Sequence, residues 1–291
     1  MNVNGMPPTM RPFPISVVAV GPGSQDTDGP DYLPMPKGMD TFSAPRLPED
    51  ASQESLQRAA DLLTRFVDDA ERSGFGRAPT LDLTSLDAGT RNVINQSMGF
   101  GEVSAFTSGD TQWRVQETAF AGIWRVLQVS PQGQITLDRL ETGTIPQVLR
   151  DAMTGTAQAE LAAPAFPEGT MNSPALVEEI RQRAASYADG QSAHVINLTL
   201  LPVSDADLDT LYHWLGHRDV SILSRGYGNC RITSTHLRNV WWVQYFNSMD
   251  TLILNSIEVV DMPEVALAAQ EDFDDSIERL REYLDVMVDP V

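Results

Sequence analysis

Two halves of this chain repeat one another, and the repetition constrains its fold more than any bulk property does. TLDLTSL at 80–86 is similar to VINLTLL at 195–201, and after a two-residue shift the halves align without gaps at an offset of 117. MGFGEVS at 98–104 lies over LGHRDVS at 215–221, and WRVQETAFAGIWRV at 113–126 over CRITSTHLRNVWWV at 230–243. LETGTIPQVLRDA at 140–152 lies over IEVVDMPEVALAA at 257–269. The identical pairs include Gly99/Gly216, Gly109/Gly226, Arg114/Arg231, Trp124/Trp241, Glu141/Glu258 and Pro146/Pro263. Self-similarity at a fixed period is expected of a duplicated supersecondary unit.

Each unit reads the same way. A short strand (Leu81 to Leu83; Ile196 to Leu198) leads into a helix with Asp87 or Ser204 as its N-cap and Gly99 or Gly216 as its stop. β-prone runs follow at 102–107, 112–120 and 122–129, with counterparts at 219–224, 230–235 and 239–246. A further strand, 134–141 or 251–259, precedes the Ile-Pro or Met-Pro that opens a helix. Consecutive short strands between helices predict an α+β fold: two homologous units, each a small, mostly antiparallel or mixed sheet with flanking helices.

Residues 1–50 are an irregular segment with one short strand in FPISVVAVGPGSQ, 51–78 hold a helix, and 79–152 are the first unit. A linker and helix span 153–193, the second unit spans 194–269, and 270–291 are an acidic helix that continues it. That last helix is expected to run unbroken from Pro263, with Ile277, Leu280, Leu284 and Met287 as its apolar stripe.

Charge and cysteine content exclude several function classes. Forty Asp and Glu face 20 Lys and Arg, a net charge of −20, of which residues 258–291 hold −9. Such a chain repels a phosphate backbone, so nucleic acid is not an expected partner, whereas a basic partner is. Cys230 is the only cysteine, which rules out an internal disulfide and a multi-cysteine zinc or iron–sulfur site. No stretch approaches the 18 or so consecutive apolar residues of a membrane span, and a cytoplasmic location is expected.

Cys230 and a nearby histidine would be the ingredients of a nucleophilic site. All four histidines, His194, His213, His217 and His236, lie in the second unit. The first unit, however, has Trp113 at the position of Cys230 and Ala119 at that of His236, so the scaffold does not call for either. His213 and His217 are spaced as in zinc-binding helices but lack the intervening glutamate, and Gly216 stops the helix between them. No catalytic residue, metal site or cofactor is expected.

The most distinctive stretch is RGYGNCRITSTHLRNVWWVQYFNSMDTLILNSIEV at 225–259. Alternation places Trp241 on one face of a strand and Trp242 on the other. Trp241 recurs as Trp124, whereas Trp242 corresponds to Arg125, a residue expected to face water. Two readings of Trp242 stand open: an exposed anchor for a partner, or a residue packed between the units. The expected contact surface comprises Arg225, Tyr227, Asn229, Cys230, Arg231, Arg238 and Trp242.

This stretch resembles the C-terminal region of the HupH/HyaF family of hydrogenase expression and formation proteins. The matching strings are GYG, CRIT, NVWWVQYFNS, LILNSIEV and PEVALAA; GPGSQ at 21–25, GEVS at 101–104, IWRV at 123–126, EGTMNSPALVEEI at 168–180 and NLTLLP at 197–202 extend the likeness. The resemblance implies an accessory protein for maturing a membrane-associated [NiFe] hydrogenase. It implies a chaperone that accompanies the iron–sulfur small-subunit precursor before twin-arginine export, with room for a second maturation chaperone. The family supplies no catalytic residues to carry over. The alternative is a redox or metal-handling maturation factor that uses Cys230 and nearby histidines.

Overall fold

The computed structural model describes residues 45–46, 51–76, 79–109, 111–226 and 228–288. The expected strand at 13–25 and Tyr227 lie outside them. The first unit contains β1 (Thr80–Asp82), α2 (Ala88–Met98), β2 (Val103–Thr107), β3 (Gln112–Glu117), β4 (Ile123–Val129) and β5 (Ile135–Thr142), preceded by α1 (Gln53–Ser73) and followed by α3 (Gln147–Thr156). The second contains β6 (His194–Asn197), α5 (Asp205–Leu215), β7 (Val220–Ser224), β8 (Asn229–Ser234), β9 (Val240–Phe246) and β10 (Leu252–Val259), preceded by α4 (Ser173–Ser186). A 3₁₀ turn (Glu264–Ala266) and α6 (Gln270–Val288) follow it.

The strands do not form two separate small sheets. They form one ten-stranded antiparallel sheet in the order β1-β5-β4-β3-β2-β7-β8-β9-β10-β6. The order reads the same from both ends once each strand is exchanged for its counterpart. At the join between β2 and β7, Ala105 opposes Ile222. These two residues are themselves separated by the repeat offset, so a pseudo-twofold axis passes between them.

Local bonds recur with the strands. Trp124 donates its indole N–H to the Gly143 carbonyl at 2.8 Å, and Trp241 donates to Val260 at 3.1 Å. The hydroxyls of Thr118 and Thr235 accept from the backbone of Phe120 and Leu237, both at 3.2 Å. Helices α2 and α5 end at Gly99 and Gly216 with φ of 57° and 59°, a region where a β-carbon is strained. Their N-caps are Asp87 and Ser204. Asp207 completes a capping box with Ser204, and its other oxygen accepts from the N–H groups of Met171, Asn172 and Ser173 at the start of α4. One buried carboxylate thus caps two helices, and those donors hold its pKa well below the usual range.

The sheet has two differently covered faces. One carries Val103, Ala105, Val115, Trp124, Val126 and their counterparts Val220, Ile222, Ile232, Trp241 and Val243, covered by α3 and the 3₁₀ turn in one core that spans the join. The other carries two separate helical layers. Helices α1, α2 and α6 cover Leu83, Ile123 and Leu140 in the first unit, and α4 and α5 cover Ile196, Leu198, Trp242 and Ile257 in the second.

The segments that leave each unit cross to the other. After α3, Gln158 bridges to Leu237, and its carbonyl accepts from the Arg238 N–H at 2.8 Å. After Pro263, the Ser276 hydroxyl accepts from the Ala121 N–H at 2.8 Å, at the matching place in the first unit. Two expectations are corrected here. The helix expected to be unbroken from Pro263 is interrupted, because Leu267 turns extended and Ala268 donates to the Thr144 carbonyl across the join. And α6 does not pack on the second unit: Phe273, Ile277, Leu280, Leu284 and Met287 fill the core of the first, while Arg281 pairs with Asp68 and Glu71 of α1.

Leu280→Ala should therefore cost about 2–5 kcal/mol, because it empties a fully enclosed site. Urea unfolding reads this directly, and a loss under about 1 kcal/mol would show that α6 is not part of the core.

Candidate partner-binding site

The segment 225–246 enters along β8 and returns along β9 beside the join. Its residues do not form one surface, because alternation divides them. Cys230 opposes Tyr245 and lies in the core that spans the join, 1% exposed. Arg231 points to the opposite face, its guanidinium 4.5 Å from the centre of the Phe246 ring. Asn229 is half-buried at the start of β8. Arg225 donates its backbone N–H to the Glu102 carbonyl at 3.1 Å, beside the join. Arg238 is exposed, on the loop that receives the first unit's crossing segment.

Trp242 is a correction to the expected surface. It is 1% exposed and stacks on Tyr212 of α5 with ring centroids 4.4 Å apart. It packs not between the units but beneath the second unit's own helices, out of reach of the surface. The inference from its counterpart failed for a physical reason. Arg125 does not face open water: it forms a two-pronged ion pair with buried Asp138, at 3.0 and 2.7 Å, beneath α2. In the second unit Trp242 and Asn255 replace that pair, and Tyr212 fills the space.

Cys230 is a correction as well, since a contact or chemical role requires access. Burial pushes its thiol up to about 12, so the nucleophilic thiolate is essentially absent near neutral pH. Burial likewise lowers the pKa values of His217 and His236, and the charge of Arg218 lowers that of His236 further. His213 bonds the Asp209 carbonyl on its own helix, and His194 meets Glu179 at 2.7 Å. Among the described residues no three His, Cys, Asp or Glu side chains converge as a metal site would need. No helix among them is long and apolar enough to cross a membrane.

The sequence reading missed Glu117 at the end of β3. Its carboxylate is buried, accepts the Gly122 N–H at 3.3 Å, and also meets the backbone N–H groups of Val103 and Glu102. Burial dominates those bonds and raises its pKa to about 7. The apolar alternation of β3 marked only its neighbours.

The fold and site define an α+β protein built on one large antiparallel sheet, with its single cysteine buried in the core. The model for the HupH hydrogenase expression protein, C-terminal conserved region, matches residues 57–163 and 170–287. The chain is 45% identical to hydrogenase expression/formation protein HoxQ of Cupriavidus necator, over 94% of this chain and 98% of that one. It is 43% identical to hydrogenase expression/formation protein HupH of Rhodobacter capsulatus, over 94% and 98%. Hydrogenase-1 operon protein HyaF of Escherichia coli is 32% identical, over 90% and 93%. The chain belongs to the HupH/HyaF family of hydrogenase expression and formation proteins.

Two measurements check the electrostatics of this region. The side-chain carboxyl carbon of Glu117 should titrate with a midpoint near 7 by NMR. Because the folded value is raised, its contribution to stability is complete below about 4.5 and is lost as pH rises through about 7; a midpoint below 5 would show that its backbone donors dominate. The Cys230 thiol should react with an aromatic disulfide reagent in the unfolded chain at least 100-fold faster than in the native chain at pH 8, and equal rates would contradict its burial.

Proposed function

We propose that this protein is an accessory chaperone in maturation of a membrane-associated [NiFe] hydrogenase. It binds the iron–sulfur small-subunit precursor in the cytoplasm, before twin-arginine export, and acts by holding its client rather than by catalysis. The observation that carries this reading is the near full-length identity to proteins named for hydrogenase expression and formation. The burial of Cys230 supports binding over thiol chemistry. The acidic surface, strongest along 258–291, supports a client with basic groups. The matched element order and paired hydrogen bonds of the units, together with the double match of one family model, support a duplicated ancestral unit.

Affinity purification of the tagged protein from cells making the hydrogenase should recover the small-subunit precursor in near-equal amount. Recovery should cease once export is complete. A preparation free of that subunit would defeat the proposed role. Stoichiometric metal that disappears in Cys230→Ser protein would favour the metal-handling alternative.

A further inference from the structure

Two of the strings that carry the family resemblance, EGTMNSPALVEEI at 168–180 and NLTLLP at 197–202, are apart in the chain but meet at one corner of the second unit. Asp207 of α5 joins them. One of its carboxylate oxygens accepts from the Ser204 N–H at 3.0 Å, and the other from the N–H groups of Met171, Asn172 and Ser173. The Asn172 amide donates to the Pro202 carbonyl at 2.6 Å, and the Ser204 hydroxyl to the Gly169 carbonyl at 3.1 Å. On the sheet side, the Asn197 side chain accepts from the N–H groups of Thr199 and Leu200, and the Thr199 hydroxyl accepts from the Asn255 N–H. Both loops are thus tied to each other and to the sheet.

This tied corner presents large apolar side chains to water. Leu200 is 80% exposed, Met171 76% and Leu201 39%. Single apolar residues are ordinary on a protein surface, whereas several gathered in one place mark a contact. The first unit builds the same corner without them. Ser85 stands there at the place of Leu200, and Leu86, the counterpart of Leu201, is half-buried against the first unit's core. Met171 precedes the N-cap of α4; Ala51, which precedes the N-cap of α1, is likewise half-buried against that core. The architecture of the corner therefore does not force apolar side chains outward.

Carboxylates surround the exposed residues. Glu168 and Asp205 lie beside the bond between Gly169 and Ser204, one on each loop, and Asp209 follows Asp205 one turn along α5; all three are exposed. The ion pairs of α4 involve other carboxylates, Glu178 with Arg181 and Glu179 with His194. Neither 162–180 nor 195–212 contains a lysine, arginine or histidine.

We propose that this corner is a docking surface for a segment of a partner protein that combines apolar side chains with lysine or arginine. The apolar side chains cover Leu200, Leu201 and Met171, and the cations pair with Glu168 and Asp205. Charge complementarity selects the occupant: carboxylates around an apolar patch attract a basic apolar segment and repel an acidic one, and an anionic lipid surface as well. Because hydrogen bonds already fix both loops, little binding free energy is spent on ordering them. The proposal depends on the functional reading above only in taking the partner from the hydrogenase pathway.

The test is site-specific photocross-linking. A benzophenone amino acid replaces Leu200, and, as a control, its counterpart Ser85, in cells that make the hydrogenase; the cross-linked peptide is then sequenced. The expected adduct at 200 lies in a net-positive segment with apolar residues, in a hydrogenase-pathway protein, and position 85 does not yield it. Its yield should fall by roughly tenfold or more in Met171→Ser and in Glu168→Lys/Asp205→Lys, and persist in Glu168→Asp/Asp205→Glu. All these side chains are exposed, so each variant should keep the parent's thermal midpoint; Met171→Ser alone decides the matter if charge reversal lowers it. If the segment belongs to the small subunit, both readings stand. If it belongs to another pathway protein, the surface stands and the small-subunit reading fails. The surface is overturned by no adduct, by an adduct to an acidic segment, to lipid, to a protein outside the pathway or to a second copy of this chain, or by a yield indifferent to Met171→Ser. The small-subunit reading then rests on the affinity purification alone.

Discussion

The pairing of β2 with β7 is the contact on which the rest of the molecule depends. Each unit by itself would be a five-stranded sheet ending in an unpaired five-residue edge strand, β2 or β7, and open edges recruit other chains. Joining the two units along those strands removes both edges. What remains at the ends of the sheet is β1 and β6, of three and four residues. The join also sets the core. Ala105 and Ile222 occupy the same position in the repeat and face one another, so a small and a large side chain divide a space that two large ones would overfill.

A second consequence concerns the crossing segments. Because each unit's exit passes over the join, neither helical layer is completed by its own unit. The first arm remains extended: Trp214 donates its indole N–H to Ala162 there, and Leu161 packs on the second unit. The second arm becomes α6, whose apolar stripe completes the first unit. Cutting the chain between the units would leave each with uncovered leucines and tryptophans, so cooperative folding of the whole is the expected behaviour. The crossing also carries the most acidic part of the chain onto the first unit, beside α1.

Much of this was legible in the sequence, and the failures share a cause. Periodicity located α1 and the strands, and caps located α2 and α5, because Asp87, Ser204, Gly99 and Gly216 act through bonds within a few residues. What depends on distant partners was not legible. The Ala268 to Thr144 bond that breaks the last helix joins residues over a hundred positions apart. Trp242 was misjudged because Arg125 was read as a surface residue, when Asp138 had drawn it beneath a helix. Glu117 carried no local signal, since its donors come from the β2 entry and the Gly122 turn. In the contact surface, alternation along β8 was enough to separate Cys230 from Arg231, which lie on opposite faces of the sheet.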